Sequence, residues 1–375
     1  MLKVLTVFGT RPEAIKMAPL IAELERHPHA IDNRNCLTGQ HKDMVSPLIE
    51  LFGIRPDYEL DLMRENQTLE HITTTVLTEV GRILREDKFD LLLVQGDTTT
   101  SMAAALAAFY AGVKIGHVEA GLRTFDKHHP YPEESNRKMI DAVADLFFAH
   151  SERAKQNLLN EGIAESAIAM TGNTVIDALL DVSSRSFELA GSPLEAIPFD
   201  TKRIVLVTAH RRESFGGPFE SICMGLAALA RRYADDIELV YPVHRNPNVR
   251  AVVGKHLSGI PNVRLIDPLD YLPLVQLMKR AHLVLTDSGG LQEEAPSLGK
   301  PVLVLRKVTE RQEGVEAGTL RLVGMDADAI VREASRLLDD PAAYQAMATR
   351  ANPYGDGTAS IKIVRKILAD LGQAR

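Results

Sequence analysis

The chain has 375 residues, too many for one typical core and suited to two domains of under about 200 residues each. Hydrophobic residues make up 45% and charged residues 25%, and 43 Lys and Arg against 50 Asp and Glu leave a formal net charge of −7, which excludes a general nucleic-acid binder because such proteins need a positive field. Cys36 and Cys223 stand far apart without CxxC spacing, against a disulfide framework and in keeping with a reducing cytoplasm; no run approaches about 18 apolar residues, so neither a signal peptide nor a membrane span is expected. In chain order, the first half predicts strands at Lys3–Phe8, Arg34–Thr38, Leu91–Val94, Lys114–Val118, Leu146–Ala149 and Ile168–Thr171. The stretch Ser184 to Lys202 reads as a connection, since Pro193 and Pro198 exclude a continuous helix, although Thr171-Gly172-Asn173 is an alternative hinge. The second half predicts strands at Ile204–Thr208, Glu238–Pro242, Val263–Ile266, Leu283–Thr286, Val302–Leu305 and Leu320–Val323, and Ser360–Leu371 is amphipathic. Short apolar runs between longer amphipathic stretches are the alternation of parallel sheets covered by helices, so the expected class is α/β with two doubly wound sheets.

Ligands of such sheets bind beyond the carboxyl ends of the strands, and the unusual residues cluster there. The first strand runs into Gly9-Thr10-Arg11-Pro12-Glu13 with Lys16 a turn on; others end in Gly96-Asp97-Thr98-Thr99, in Glu119-Ala120-Gly121-Leu122-Arg123 and in His210-Arg211-Arg212-Glu213. After Thr286 comes Asp287-Ser288-Gly289-Gly290, opening a helix whose first N–H groups carry partial positive charge, with Glu294 placed to accept from ribose hydroxyls. This is neither a Walker loop nor GxGxxG, so a nucleotide diphosphate other than a hydrolysed ATP or an NAD is the reading. Taken singly, each feature also fits a bland role: a capping Asp or Ser, a solvated Arg or Lys, a packed His. Arg11, Lys16 and Arg311 are cations suited to phosphate oxygens, whereas Asp97, Glu119, Glu133 and His210 are proton-transfer candidates. The run HHPYPEE, residues 128–134, lacks the i, i+4 His pair of a zinc helix and reads as a loop presenting Glu133, so no metal is expected.

VFGTRPEAIKMAP, GDTTTSMAAALAAFY, GHVEAGLRT, PEESNR, TGNTVIDALL, TAHRRESFG, YPVHRNPNV, DSGGLQEEAPSLGKPVLVLR and NPYGDG, in that order along essentially the whole chain, resemble the non-hydrolysing bacterial UDP-N-acetylglucosamine 2-epimerases. The resemblance implies a GT-B-like fold of two Rossmann-like domains facing across a cleft, residues 1–172 and 173–357, with a final helix from about 358 to 375 returning to the first. It implies interconversion of UDP-N-acetylglucosamine and UDP-N-acetylmannosamine, without an added cofactor or metal, in a cytoplasmic homodimer that feeds cell-surface polysaccharide synthesis. UDP leaves C1 as the C2 proton is removed, giving 2-acetamidoglucal, and both return with the opposite configuration at C2. Carried over, Asp97, Glu119 and Glu133 are the acid–base groups; Arg11, Lys16 and His210 lie near the pyrophosphate; Ser288, Gly289, Gly290 and Arg311 hold phosphates, and Glu294 the ribose. A second UDP-N-acetylglucosamine would bind as activator through Gln40, His41, Arg211 and His244. Departures are Leu274 and Leu269 where the family commonly has an aromatic and a Gln, and Asn66 and Asp43 near the activator segment. Rival readings are a GT-B glycosyltransferase, a hydrolysing epimerase, and a sensor that binds a sugar nucleotide without chemistry.

Overall fold

The strands form where Val, Leu and Ile are buried on both faces, the condition that makes a parallel strand a continuous apolar run. The computed structural model describes residues 1–40, 42–64, 67–211 and 214–372. One sheet contains β1 (Leu2–Phe8), β2 (Ile31–Leu37), β3 (Tyr58–Glu59), β4 (Leu91–Gln95), β5 (Lys114–Ala120), β6 (Leu146–Ala149) and β7 (Ile168–Met170), in the order β3-β2-β1-β4-β5-β6-β7. The other contains β8 (Arg203–Thr208), β9 (Ile237–Pro242), β10 (Val263–Ile266), β11 (Leu283–Thr286), β12 (Val302–Val304) and β13 (Leu320–Leu322), in the order β10-β9-β8-β11-β12-β13. All the pairings are parallel. Two doubly wound α/β sheets, the class expected from the alternation of apolar and amphipathic stretches, are what the chain adopts.

Every expected strand forms. β3 was not expected: it has two residues, Tyr58 and Glu59, paired with Cys36 and Leu37, and so short an edge strand leaves no periodic signal. β2 begins three residues before the apolar run, because Asp32, Asn33 and Arg34 sit on its half-exposed start, where Arg34 pairs with Asp32 and Asp57.

The chain divides into two units, Met1–Ala178 with the stretch from Tyr354 onward, and Leu179–Pro353. In the first, helix Leu69–Glu86 buries Ile72, Val76, Val80 and Ile83 against the Ala-rich helix Thr99–Ala111, whose small side chains permit close packing. The last helix, Ala359–Leu371, buries Ile363, Val364 and Ile367, packs on helix Arg11–Glu25, and has its first two N–H groups capped by Asp177 at 3.2 and 2.8 Å. In the second unit, Val205, Val207, Phe219, Ile222, Leu226, Leu239, Leu283 and Leu285 form the core between the sheet and helix Gly217–Arg232. Full burial of such a side chain contributes about 1.5–3 kcal/mol each. The two Cys thiols are buried and pushed up to about 12 by that burial, which leaves them inert. No described helix is long and apolar enough to cross a membrane.

The strand order of each sheet reverses once, between β1 and β4 in the first and between β8 and β11 in the second. At these switch points adjacent connections leave in opposite directions and open a crevice at the carboxyl edge.

Candidate active site

At the first switch point, β1 ends at Phe8, Gly9 and Thr10 follow, and the helix Arg11–Glu25 begins, carrying Arg11 at its start and Lys16 a turn in. Buried Glu13 joins this helix to its neighbour across the switch. Its Oε2 accepts from the backbone of Gly9 and Thr10 at 3.1 and 2.7 Å, and its Oε1 accepts from Thr98 Oγ1 and Ser101 Oγ at 2.6 and 2.8 Å. The start of helix Thr99–Ala111, and with it the preceding Asp97, is tied to the end of β1.

Asp97 follows Gly96, which has φ 70°. Its Oδ2 accepts from Arg137 Nε and Nη2 at 3.1 and 2.6 Å, and its carbonyl accepts from Asn136 at 2.9 Å. Arg137 is buried and also pairs with Glu134 at 2.8 Å. Glu134 in turn accepts from the backbone N–H groups of Thr124 and Phe125, both at 3.0 Å, so it shapes the loop before helix Glu133–Val143. Glu133 begins that helix, and its Oε2 is buried without a hydrogen-bond partner. Adjacent glutamates thus differ in work: Glu134 is consumed by the fold, whereas Glu133 keeps an oxygen available.

Glu119 stands at a β-bulge, where the β5–β6 register slips between Val118 and Ala120, and it adopts φ 68°. A non-glycine residue there costs on the order of 1–3 kcal/mol and persists only where the surroundings over-determine it. Two donors do so: Lys16 Nζ lies 2.5 Å from Glu119 Oε2, and the Gln95 amide donates to the same oxygen. Lys16, read from the sequence as a phosphate cation, is here the ion-pair partner of Glu119. The first unit therefore places Asp97 and Glu119 just beyond and at the ends of adjacent strands β4 and β5, each paired with a cation, while Glu133 begins the helix that supplies Arg137.

At the second switch point, β11 runs into Asp287 and the short helix Gly289–Glu294. A Cβ on Gly289 would lie 3.0–3.2 Å from the Arg311 guanidinium, so the missing side chain is what lets that cation close on the helix start. Arg311 is oriented by Glu293 at 2.8 and 2.9 Å and by Glu310 at 3.5 Å. Burial alone would raise the Glu310 carboxyl, but Arg306 and Arg311 outweigh it and hold it down to about 2. Glu294 accepts from the Tyr271 hydroxyl at 2.7 Å, and its Oε2 lies 3.6 Å from where a Gly290 Cβ would stand, with Ser288 Oγ at 3.9 Å from the same point. Ser288, Gly289, Gly290, Glu294 and Arg311 are brought together as one cradle.

His210 and Arg211 follow β8 and are tied to this cradle by fully buried Asp287, whose Oδ2 accepts their backbone N–H groups at 2.6 and 2.7 Å. The His210 ring stacks on His244, centroids 5.0 Å apart, and burial first, then His244 and Arg211, lower its pKa against the raising effect of Asp287, 3.7 Å away. Of the proposed activator residues, Arg211 and His244 lie here in the second unit, while Gln40 lies in the first, where its Oε1 accepts from Thr100 at 2.7 Å. His41, Asn66, Arg212 and Glu213 lie outside the described residues. Asp43 is in helix Lys42–Phe52. No group of three or more His, Cys, Asp or Glu suited to a metal ion occurs among the described residues.

Sequence reasoning passed over Gln95, Arg137, Tyr271, Asp287 and Glu293. Each lies within or beside a motif that was read, but only contact distances reveal that they orient Glu119, Asp97, Glu294, the His210 loop and Arg311.

Paired carboxylates at one switch point and a glycine start of a helix closed by Arg311 at the other, on two parallel doubly wound sheets, mark an α/β protein of the GT-B kind. The family model of UDP-N-acetylglucosamine 2-epimerase matches residues 22–368. The chain is 53% identical over 371 residues to the UDP-N-acetylglucosamine 2-epimerase of Escherichia coli K12, covering 98% of each protein. A crystal structure of the UDP-GlcNAc 2-epimerase from Neisseria meningitidis bound to UDP-GlcNAc superposes with a TM-score of 0.89 at 47% identity, covering 98% of this chain and 100% of that one. A co-structure of S. aureus MnaA with UDP gives 0.89 at 45%, covering 99% and 97%. The chain belongs to the UDP-N-acetylglucosamine 2-epimerase family.

Proposed function

We propose that this protein is a non-hydrolysing epimerase that interconverts UDP-N-acetylglucosamine and UDP-N-acetylmannosamine at C2. The observation that carries this reading is the pairing of Asp97 with buried Arg137 and of Glu119 with Lys16 at one carboxyl edge; Glu133, with its spare oxygen, begins the helix that supplies Arg137. A C2 hydrogen is not acidic, so its removal must be coupled to departure of a stable anion. The Gly289–Arg311 cradle serves that anion, with Arg311 as a planar fork on the phosphates and the helix N–H groups as further donors. Glu294, fixed by Tyr271, takes the ribose hydroxyls. Elimination gives 2-acetamidoglucal and UDP; return of the proton to the opposite face and of UDP to C1 completes the reaction. Because one face loses the proton and the other gains it, more than one acid–base group is required, and Asp97, Glu119 and Glu133 supply the candidates. Arg11 and His210 act beside the leaving diphosphate. A sensor of sugar nucleotides would need the cradle alone.

The test is incubation with UDP-N-acetylglucosamine in deuterated water. Deuterium at C2 of both recovered UDP-sugars is expected; absence of exchange, or free N-acetylmannosamine as the main product, refutes the mechanism. D97N is expected to lose exchange by at least about 100-fold while still binding UDP. We further propose action in the cytoplasm as a homodimer in the supply of cell-surface polysaccharide, with UDP-N-acetylglucosamine as an activator acting through Gln40, His41, Arg211 and His244. Sedimentation of the purified protein as a monomer would refute the dimer, and hyperbolic kinetics unchanged in R211A would refute the activation.

A further inference from the structure

We propose that His117 is a positioning residue for Asp97, acting through the carbonyl of Gly96. The inference rests on the reading of Asp97 as an acid–base group. His117 is fully buried on β5, two residues before Glu119. Its Nδ1 lies 2.6 Å from Asp141 Oδ1 and its Nε2 2.7 Å from the Gly96 carbonyl oxygen. A carbonyl and a carboxylate only accept, so the ring donates from both nitrogens.

The far side of the network is equally fixed. Asp141 Oδ2 accepts from Arg123 Nη2 at 2.6 Å, and Arg123 is held in turn by Glu161 at 2.6 and 2.8 Å. Burial pushes the Asp141 carboxyl up, but His117 and Arg123 outweigh it and keep it below its ordinary value. Charges as deep as those of Asp141 and Arg123 are costly unless paired, and both are paired here, with exposed Glu161 closing the chain at the surface.

What it holds is one peptide group. Gly96, with φ 70°, donates its N–H to the Val118 carbonyl at 2.9 Å and accepts from His117 through its own carbonyl. A Cβ there would meet nothing within 4 Å, so the glycine answers the backbone angle and not crowding. The next carbonyl, of Asp97, is taken by Asn136. Both peptides flanking Asp97 are thereby locked, and His117 locks the first to the strand that carries Glu119. The imidazole sets where Asp97 stands relative to Glu119 without touching substrate.

The substitutions H117Q and H117N separate this role from bulk stability, because the Gln amide reaches the Nε2 position and the Asn amide only the Nδ1 position. Each removes one buried hydrogen bond. H117Q is expected to keep kcat within about fivefold of wild type, and H117N to lose about 100-fold in kcat and in C2 deuterium exchange, with KM and UDP affinity within about threefold. A kcat that follows melting temperature across the two variants, or equal turnover by both, would overturn the proposal. Should H117N fail to fold, D141N decides. Its amide can donate to Nδ1 while a neutral ring keeps its Nε2–H on Gly96, so turnover within about fivefold is expected, and a folded D141N slowed 100-fold would overturn it. Wild-type protein that exchanges no deuterium would instead refute the epimerase reading itself.

Discussion

Gly289 and Arg311 show how a missing side chain places a charge. Because the atoms nearest a Cβ at Gly289 are the tip of the Arg311 guanidinium and not backbone, G289A should fold, with the cation displaced instead. We expect UDP to bind at least about tenfold more weakly with melting temperature nearly unchanged, as calorimetric titration would measure; undiminished affinity would remove Arg311 from the phosphate site. Tyr271 works on Glu294 in a similar way, as its hydroxyl donates to one carboxylate oxygen. Y271F keeps the ring and removes that bond, so a rise in the Kd for UDP of about threefold to tenfold is expected, with kcat at saturation little changed.

At the level of elements, the last helix is held by an apolar face and one charged cap. Asp177 accepts from the N–H groups of Ala359 and Ser360, two of the donors a helix start leaves without partners. Burial raises its pKa, and the backbone bonds to Ser360 and Ala359 only partly offset this. D177A should cost about 1–2 kcal/mol and appear first as faster amide hydrogen exchange in Ala359–Leu371; exchange that rises uniformly through the unit would show that the cap is not local. A second element couples to pH. His282, just before β11, stacks on Tyr344 at 4.2 Å, and its Nε2 is buried without a hydrogen-bond partner. Burial first, then the charges of Arg203 and Lys300, lower its pKa from 6.5 to about 4.

For the whole molecule these shifts set the acid limb of stability. Between pH 6.5 and 4 the unfolded chain takes a proton at His282 that the folded chain refuses, so stability falls as pH falls through that window. H282F keeps the stacked ring and loses no side-chain hydrogen bond, and its melting temperature should fall less steeply than wild type from pH 6.5 to about 4.5, the remaining slope including that of His210, whose pKa is also lowered; an unchanged slope would exclude His282 as a source. Below pH 4.5 a second loss sets in. Glu310 is held down to about 2, and Asp141 and Glu161 are also lowered, so these carboxylates stabilise the fold above their ordinary pKa and cease to do so as pH drops through their folded values.

The sequence alone determined both parallel sheets, because strands buried on two faces must be written as apolar runs and connections between parallel strands must be long. It also marked the strand ends carrying Arg11, Asp97, Glu119, His210 and Ser288, since a switch point is a consequence of strand order and polar residues at a carboxyl edge stand out against the apolar run before them. The sequence singled out Glu133 in a run that reads as a loop; the folded chain puts it at the start of helix Glu133–Val143, gives the adjacent Glu134 to the Thr124 and Phe125 amides and leaves an oxygen on Glu133. Nor does any local pattern pair Lys16 with Glu119, 103 residues apart, or His117 with Asp141 and the Gly96 carbonyl. Such pairings depend on which strands become neighbours and on angles like φ 68° at Glu119. Tertiary structure decides them because hydrogen bonds act over about 3 Å, a distance that chain separation does not encode.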